Sequence, residues 1–335
     1  MTAFLVKLLN MVGLEGVWAS LLLFAVGLVL IIKGGDWFVD AASWMANVTG
    51  IPKFIVGATV VSLATTLPEL LVSVIATVQK NNEIAIGNAV GSVTANVGLI
   101  MAISITVLPM VMQDNDIIKK GFIMMGATAV LGLLCLHGSM SAWAGLILLG
   151  ILAAFTAMNI SDAKRHIAGG TQEKEPVTNA FGNIVKFVLG AAAIVCGAQL
   201  LVDNGTVLAV EIGVSEKLVA VTMVAIGTSL PELITTITAL IKKEPGMSLG
   251  NIVGANIMDM TFILPICSMV GGGRLEVPMK AGETIPSLVS LDIPVTLGLM
   301  ALAILPTLKG KKFRRWQGIL MMALYIGYIA VVAMA

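Results

Sequence analysis

Apolar residues run along this chain in long, almost unbroken stretches, separated by short clusters of charged and turn-forming residues. About 20 such residues carry a helix across the hydrocarbon core of a bilayer. Ten stretches qualify, centred near Phe24, Pro68, Gly98, Ala129, Leu149, Ala193, Pro231, Phe262, Gly298 and Ala323. Strands of a membrane barrel would alternate in segments of about ten residues, and these runs are continuous instead. The pattern predicts an all-α integral membrane protein with ten transmembrane helices, five in each half. Composition points the same way: 58% hydrophobic residues, 12% charged residues and a mean hydropathy of +0.99 lie far from an ordinary soluble domain.

The halves are written twice. Residues 57–96 (GATVVSLATTLPELLVSVIATVQKNNEIAIGNAVGSVTAN) align without a gap to residues 220–259 (AVTMVAIGTSLPELITTITALIKKEPGMSLGNIVGANIMD). Pro68 and Pro231 are 163 positions apart, as are Gly87 and Gly250. An odd number of spans per half makes the second half enter from the opposite face, which predicts two inverted five-helix repeats. The expected division is a first half at 1–158, a cytoplasmic linker at 159–179 and a second half at 180–335. The linker is shorter than the roughly 50 residues of the smallest domains. Residues 3–14 lack a signal-peptide cleavage pattern and read as an outer or interfacial segment.

Charge sets the expected orientation. With the amino terminus outside, all lysines and arginines except Lys7, Lys80, Lys217, Arg274 and Lys280 fall in inner loops, Lys33, Lys120 and Lys242 among them. Both termini are then outside a cell membrane that the chain crosses many times. Asp36 and Asp40, with Asp203 matching Asp40, read as helix-end or linker charges. Cys135, Cys196 and Cys267 lie in apolar runs without zinc or disulfide spacing and read as small hydrophobes. His137 and His166 are isolated, the second in the central loop, and neither reads as a metal ligand.

Chemistry enters with Glu69 and Glu232. An ionisable residue at membrane depth is costly and is functional by default, and here it recurs beside a proline in both repeats. Ser62, Thr65, Thr66, Glu69 and Ser73 share one helical face, and the second copy places Ala225, Thr228, Ser229, Glu232 and Thr236 at the same offsets. Each proline frees a carbonyl one turn earlier. Beside Gly87 and Gly91 stand Asn88, Ser92 and Asn96; beside Gly250 and Gly254 stand Asn251 and Asp259, with Ala255 at the serine position. The donors are nearly all oxygens, which suit calcium or sodium rather than soft transition metals. Two carboxylates about 5 Å apart repel by roughly 3 kcal/mol at an effective dielectric near 20. Such a site favours replacement of a departing ion over an empty state, although a channel can also use carboxylate rings.

At these residues the chain resembles the sodium/calcium exchanger family of the calcium/cation antiporter superfamily. TLPE at 66–69, GTSLPE at 227–232, GNAVGS at 87–92 and GNIVGAN at 250–256 are similar to its two alpha repeats. The resemblance implies calcium-for-sodium antiport by alternating access, with the first and sixth spans sliding against a core of spans two, three, seven and eight. It implies Glu69 and Glu232 as the main calcium ligands, Thr65 and Thr228 as further oxygen donors, and Asn96 and Asp259 completing the central layer. Ser62 and Ser92 would help hold an inner sodium ion, with Ala225 and Thr228 facing an outer one, and the hydroxyls of Thr66 and Ser229 flank the glutamates.

Thr66, Val93 and Ala255 depart from the family pattern, and Ala255 removes an expected sodium ligand. Proton-coupled exchange of calcium or another divalent cation is the alternative, followed by a cation channel. An enzyme is not expected, since no Ser/His, Cys/His or His-metal constellation is present. No cofactor, nucleic acid or obligatory protein partner is called for; the partners expected are the two ions and the lipid bilayer.

Overall fold

The computed structural model describes residues 2, 16–109, 116–169, 175–213, 227–279 and 284–334. Among them, nine helices are long and apolar enough to cross a membrane: α1 (Val17–Thr49), α2 (Lys53–Val78), α3 (Asn82–Val107), α4 (Asp116–Leu134), α5 (Ala142–Ala168), α6 (Ala180–Glu211), α8 (Pro245–Val270), α9 (Leu288–Lys309) and α10 (Arg315–Met334). The seventh expected span appears as the shorter α7 (Leu230–Ile241); residues 214–226 before it lie outside the described residues, as residues 3–14 also do. Two three-residue strands, Ser139–Ser141 and Arg274–Glu276, pair antiparallel with Met140 opposite Leu275. They tie the α4–α5 connection to the segment after α8.

The duplication is visible in the turns. Lys80 and Lys243, 163 positions apart, both take positive φ, at 60° and 59°. In each turn the following residue's N–H reaches back to a helix carbonyl: Asn81 to Ala76 at 2.8 Å and Glu244 to Ala239 at 2.7 Å. The same backbone solution closes α2 into α3 and α7 into α8.

Glycines set the helix spacing. A Cβ on Gly27 of α1 would lie 2.9 Å from the Gly197 carbonyl oxygen of α6, and one on Gly34 would lie 2.9 Å from that of Gly190. The numbering rises along one helix as it falls along the other, so these equivalent helices run antiparallel and the repeats are inverted. At the centre α2 crosses α8, where Gly57 abuts Met247 and Asn251, Gly250 abuts Phe54 and Ala58, and Gly254 abuts Ala58 and Ser62. Helices α3 and α8 form the interior, with 72% and 78% of their apolar windows buried against 33% for α1 and 28% for α6. Lipid-facing helices therefore surround a core in which α2, α3, α7 and α8 meet.

Several charges sit elsewhere than their spacing suggests. Lys33 lies inside α1. Lys120 is fully buried in α4, its Nζ 3.1 Å from Asp162 Oδ2 of α5 and 5.1 Å from the Phe54 ring centroid. Asp36 and Asp40 belong to the interior of α1 rather than to a helix end, and both accept from Lys242 just after α7, at 3.3 and 2.9 Å. Partial burial of Lys242 opposes its charge, but the bonds to Asp40 and Asp36 prevail and hold its ammonium above the usual range. Asp203 instead accepts from Gln199 in its own helix at 2.7 Å. Helix α5 continues through Ala168, so the start of the expected linker, including His166, is helical; an i,i+4 backbone ladder simply outlasts the apolar run.

The α2–α8 crossing makes a direct prediction. In Gly250→Val the side chain meets the Phe54 carbonyl, and overpacking of this kind costs about 1–3 kcal/mol. Thermal unfolding in detergent is expected to begin at a lower temperature than in the unsubstituted protein.

Candidate cation-binding site

The polar face of α2 turns inward as a unit: Ser62, Thr65, Thr66, Glu69, Ser73 and Thr77 are all buried. Pro68 lies within this helix, which continues past it without a break. In the other half Pro231 occupies the first turn of α7, following turn residues Thr228 and Ser229. A proline is tolerated there because a first-turn N–H has no helical partner in any case. Glu232 thus sits in the first turn of a helix and Glu69 in the middle of one, though the two sequences are nearly identical.

Helices α3 and α8 carry the other acid and amide positions. Each changes from α to π winding at the matched residue: the π segments are Asn96–Met101 in α3 and Asp259–Ile263 in α8. A π-bulge adds a residue to the turn and re-aims the side chains at its start, and such bulges are common at functional sites. Asn96 and Asp259 are both about 1% exposed.

The Glu69 carboxyl group lies near those of Glu232 and Asp259, and it comes within reach of Glu232 for the two to share a proton. The Thr65 hydroxyl lies beside Glu232. Both carboxyl oxygens of Glu69, one each of Glu232 and Asp259, both amide atoms of Asn96 and the hydroxyls of Thr66 and Ser229 are buried without a hydrogen-bond partner. Buried polar groups are nearly always paired, and an unpaired charge is the costliest exception. Here the unpaired atoms are concentrated among groups drawn from α2, α3, α7 and α8.

Among the described residues, no three His, Cys, Asp or Glu side chains close together as a metal cluster. The carboxylates alone therefore do not make a cage, and hydroxyl, amide and carbonyl oxygens are needed to reach the six to eight ligands of calcium. Ser92 and Thr228 approach within 3.3 Å through their hydroxyls. Ser62 is turned toward its own helix, bonding the Thr59 carbonyl at 3.1 Å, with Met258 Sδ at 3.9 Å. Ala225 lies outside the described residues.

Two asparagines left off the expected ligand set belong to this constellation. Asn88 Nδ2 donates to the Glu69 carbonyl at 3.1 Å and to Ser73 Oγ at 2.9 Å. Asn251 Oδ1 accepts from the Thr65 hydroxyl at 3.2 Å. Their repeat spacing of 163 residues, one helical turn before Ser92 and Ala255, is the sequence signal that marks them.

A membrane protein of two inverted homologous halves, with unpaired carboxylates buried where their interrupted helices meet, has the architecture of a secondary ion transporter. The family model described as sodium/calcium exchanger protein matches residues 19–161 and 182–334, so the chain belongs to the sodium/calcium exchanger family. It is 32% identical over 311 residues to an uncharacterized membrane protein of Methanocaldococcus jannaschii, covering 92% of this chain and 96% of that one. It is 29% identical to the sodium/calcium exchanger MaX1 of Methanosarcina acetivorans over 352 residues, covering 93% and 98%. A solved structure of the sodium-calcium exchanger NCX_Mj, soaked with sodium and strontium ions, superimposes with a TM-score of 0.79 at 30% identity, covering 94% of this chain and 99% of that one.

The unpaired oxygens yield a binding prediction. A ligand at about 100 times its Kd stabilises a folded protein by roughly 2.7 kcal/mol. Calcium is expected to raise the unfolding temperature of the purified protein, and in Glu69→Gln and Glu232→Gln this rise should disappear; an undiminished rise in either variant would place the cation elsewhere.

Proposed function

We propose that this protein is a secondary active antiporter that exchanges calcium for sodium across a cell membrane by alternating access. The observation that carries the reading is the set of buried, unpartnered carboxyl oxygens on Glu69, Glu232 and Asp259. Such a cluster is expensive when empty, so the site favours trading one cation load for another over returning unoccupied. That tendency couples the two ions. The family membership and the likeness to exchangers of known ion preference support calcium and sodium as cargo.

In this reading Glu69 and Glu232 are the principal calcium ligands, with oxygens of Thr65 and Thr228, and Asn96 and Asp259 complete the central layer. Ser62 and Ser92 help hold sodium toward the inner face and Ala225 and Thr228 face an outer sodium position, with the hydroxyls of Thr66 and Ser229 beside the glutamates. Residues 1–158 and 180–335 act as the two inverted halves, joined by the segment 159–179. Both termini lie outside, which leaves Lys80 and Arg274 on the outer face and Lys53, Lys119, Arg165 and Lys243 on the inner one. No resident cofactor, catalytic centre or obligatory protein partner enters this reading. Helices α1 and α6, packed on each other through glycines, slide as a pair against the core.

Proteoliposomes loaded with sodium and diluted into sodium-free buffer are expected to take up calcium-45, and Glu69→Gln and Glu232→Gln should each abolish the uptake. A pH gradient in place of the sodium gradient should drive none. Uptake driven by the pH gradient alone would replace sodium with protons as the counter-ion. Uptake at channel rates with no gradient of either would overturn antiport.

A further inference from the structure

Ser92 and Ala255 are one of the matched pairs at which the two halves differ, and the hydrogen bonds around them differ as well. Thr228 of the second repeat meets the hydroxyl of Ser92 across the site at 3.3 Å. Under the 163-residue relation Thr65 corresponds to Thr228 and Ala255 to Ser92. Alanine has no hydroxyl, so the mirror-image contact cannot form. Thr65 instead donates to Asn251 Oδ1 at 3.2 Å. Asn251 and Ala255 are four residues apart in α8, so the amide reaches the threonine from one turn earlier on the same helix face.

Asn251 forgoes the bonds its counterpart makes. Asn88 Nδ2 ties the Glu69 carbonyl and Ser73 Oγ. The equivalent acceptors for Asn251 are the Glu232 carbonyl and Thr236 Oγ1, yet Asn251 Nδ2 and Thr236 Oγ1 are both buried without a partner. The side chain is fully buried in a helix packed closely on α2. A buried amide that leaves its donors unpaired while its oxygen holds a threonine from the other repeat has a role beyond packing.

We infer that Asn251 is a positioning residue that replaces the hydroxyl missing at Ala255, drawing the Thr65 proton toward α8 in competition with Glu232. This rests on the exchanger reading of the site. The Glu232 carboxyl group is also within hydrogen-bonding reach of the Thr65 hydroxyl, and a hydroxyl has one proton to give, so Asn251 and Glu232 compete for it. Directed at Asn251, that proton leaves the threonine lone pairs and the Glu232 carboxylate open to a cation. Directed at Glu232, it occupies an oxygen that the cation needs. The Ser62 carbonyl, 3.3 Å from the same hydroxyl, is the competing acceptor within α2.

The test is a rescue measured by calcium-45 uptake in sodium-loaded proteoliposomes. Asn251→Ala is expected to raise the calcium concentration for half-maximal uptake about fivefold, the equivalent of one buried hydrogen bond, while the maximal rate is retained. Adding Ala255→Ser in the same chain should restore most of that loss by recreating the Ser92–Thr228 arrangement in the first half. In a Thr65→Val background, removing Asn251 should cost nothing further. Should Asn251→Ala not fold, Asn251→Ser keeps a polar group in the helix but withdraws it from Thr65, and the same outcomes apply. Half-maximal concentrations unchanged by the substitution, or a loss that Ala255→Ser does not relieve, would overturn the role assigned to Asn251. Absence of sodium-driven uptake in the unsubstituted protein would instead overturn the function proposed above.

Discussion

The carboxyl groups of Glu69, Glu232 and Asp259 are buried in the middle of an apolar structure, and their unpartnered oxygens have no lysine or arginine paired with them among the described residues. Their mutual repulsion and lost hydration are costly, and much of the local architecture follows from making that arrangement tolerable. Hydroxyls of α2 and of the α7 start line the same space. Asn96 and Asp259 enter it from π segments, and Asn88 binds the backbone of Glu69 from behind. Cationic side chains that could neutralise the site are committed elsewhere: Lys120 to Asp162, Lys242 to Asp36 and Asp40, and Lys53 to Glu244.

Close backbone approach makes the cluster possible. Glycines at 57, 250 and 254 let α2 and α8 cross with carbonyls and amides almost in contact, so short Ser, Thr and Asn side chains can bridge the helices. A second glycine contact, Gly27 and Gly34 against Gly197 and Gly190, joins α1 to α6 outside the core. The outer pair meets the core through the Asp36 and Asp40 contacts to Lys242, whereas the matched Asp203 stays bonded within α6. The inverted repeats therefore share their turns and helix order but differ in where α2 and α7 begin and in their polar contacts.

Much of this was legible in the chain because the membrane removes alternatives. Backbone groups in lipid must bond internally, so long apolar runs can only be helices, and a gapless repeat with an odd number of spans can only be inverted. Glu69 and Glu232 stood out because an acid at membrane depth is costly and recurs beside a proline in both repeats, and Asn96 and Asp259 because each stands 27 residues further on in its repeat. Less legible were charges whose partners lie far away in sequence. Asp36 and Asp40 read as helix-end charges because Lys242 is some two hundred positions distant, and Lys120 read as a loop residue because nothing near it announces Asp162.

The sequence by itself determined the class of element, the duplication, the inversion and the acids at the centre, all of which follow from local hydropathy and spacing. Only the tertiary structure decided which acid begins a helix and which lies within one, where the π segments fall, and which hydroxyl each threonine addresses. Thr65 and Thr228 stand in almost the same local sequence, yet one bonds Asn251 and the other Ser92. Hydrogen bonds between helices depend on side chains meeting across a crossing to within a few tenths of an ångström. Local sequence carries no record of that meeting.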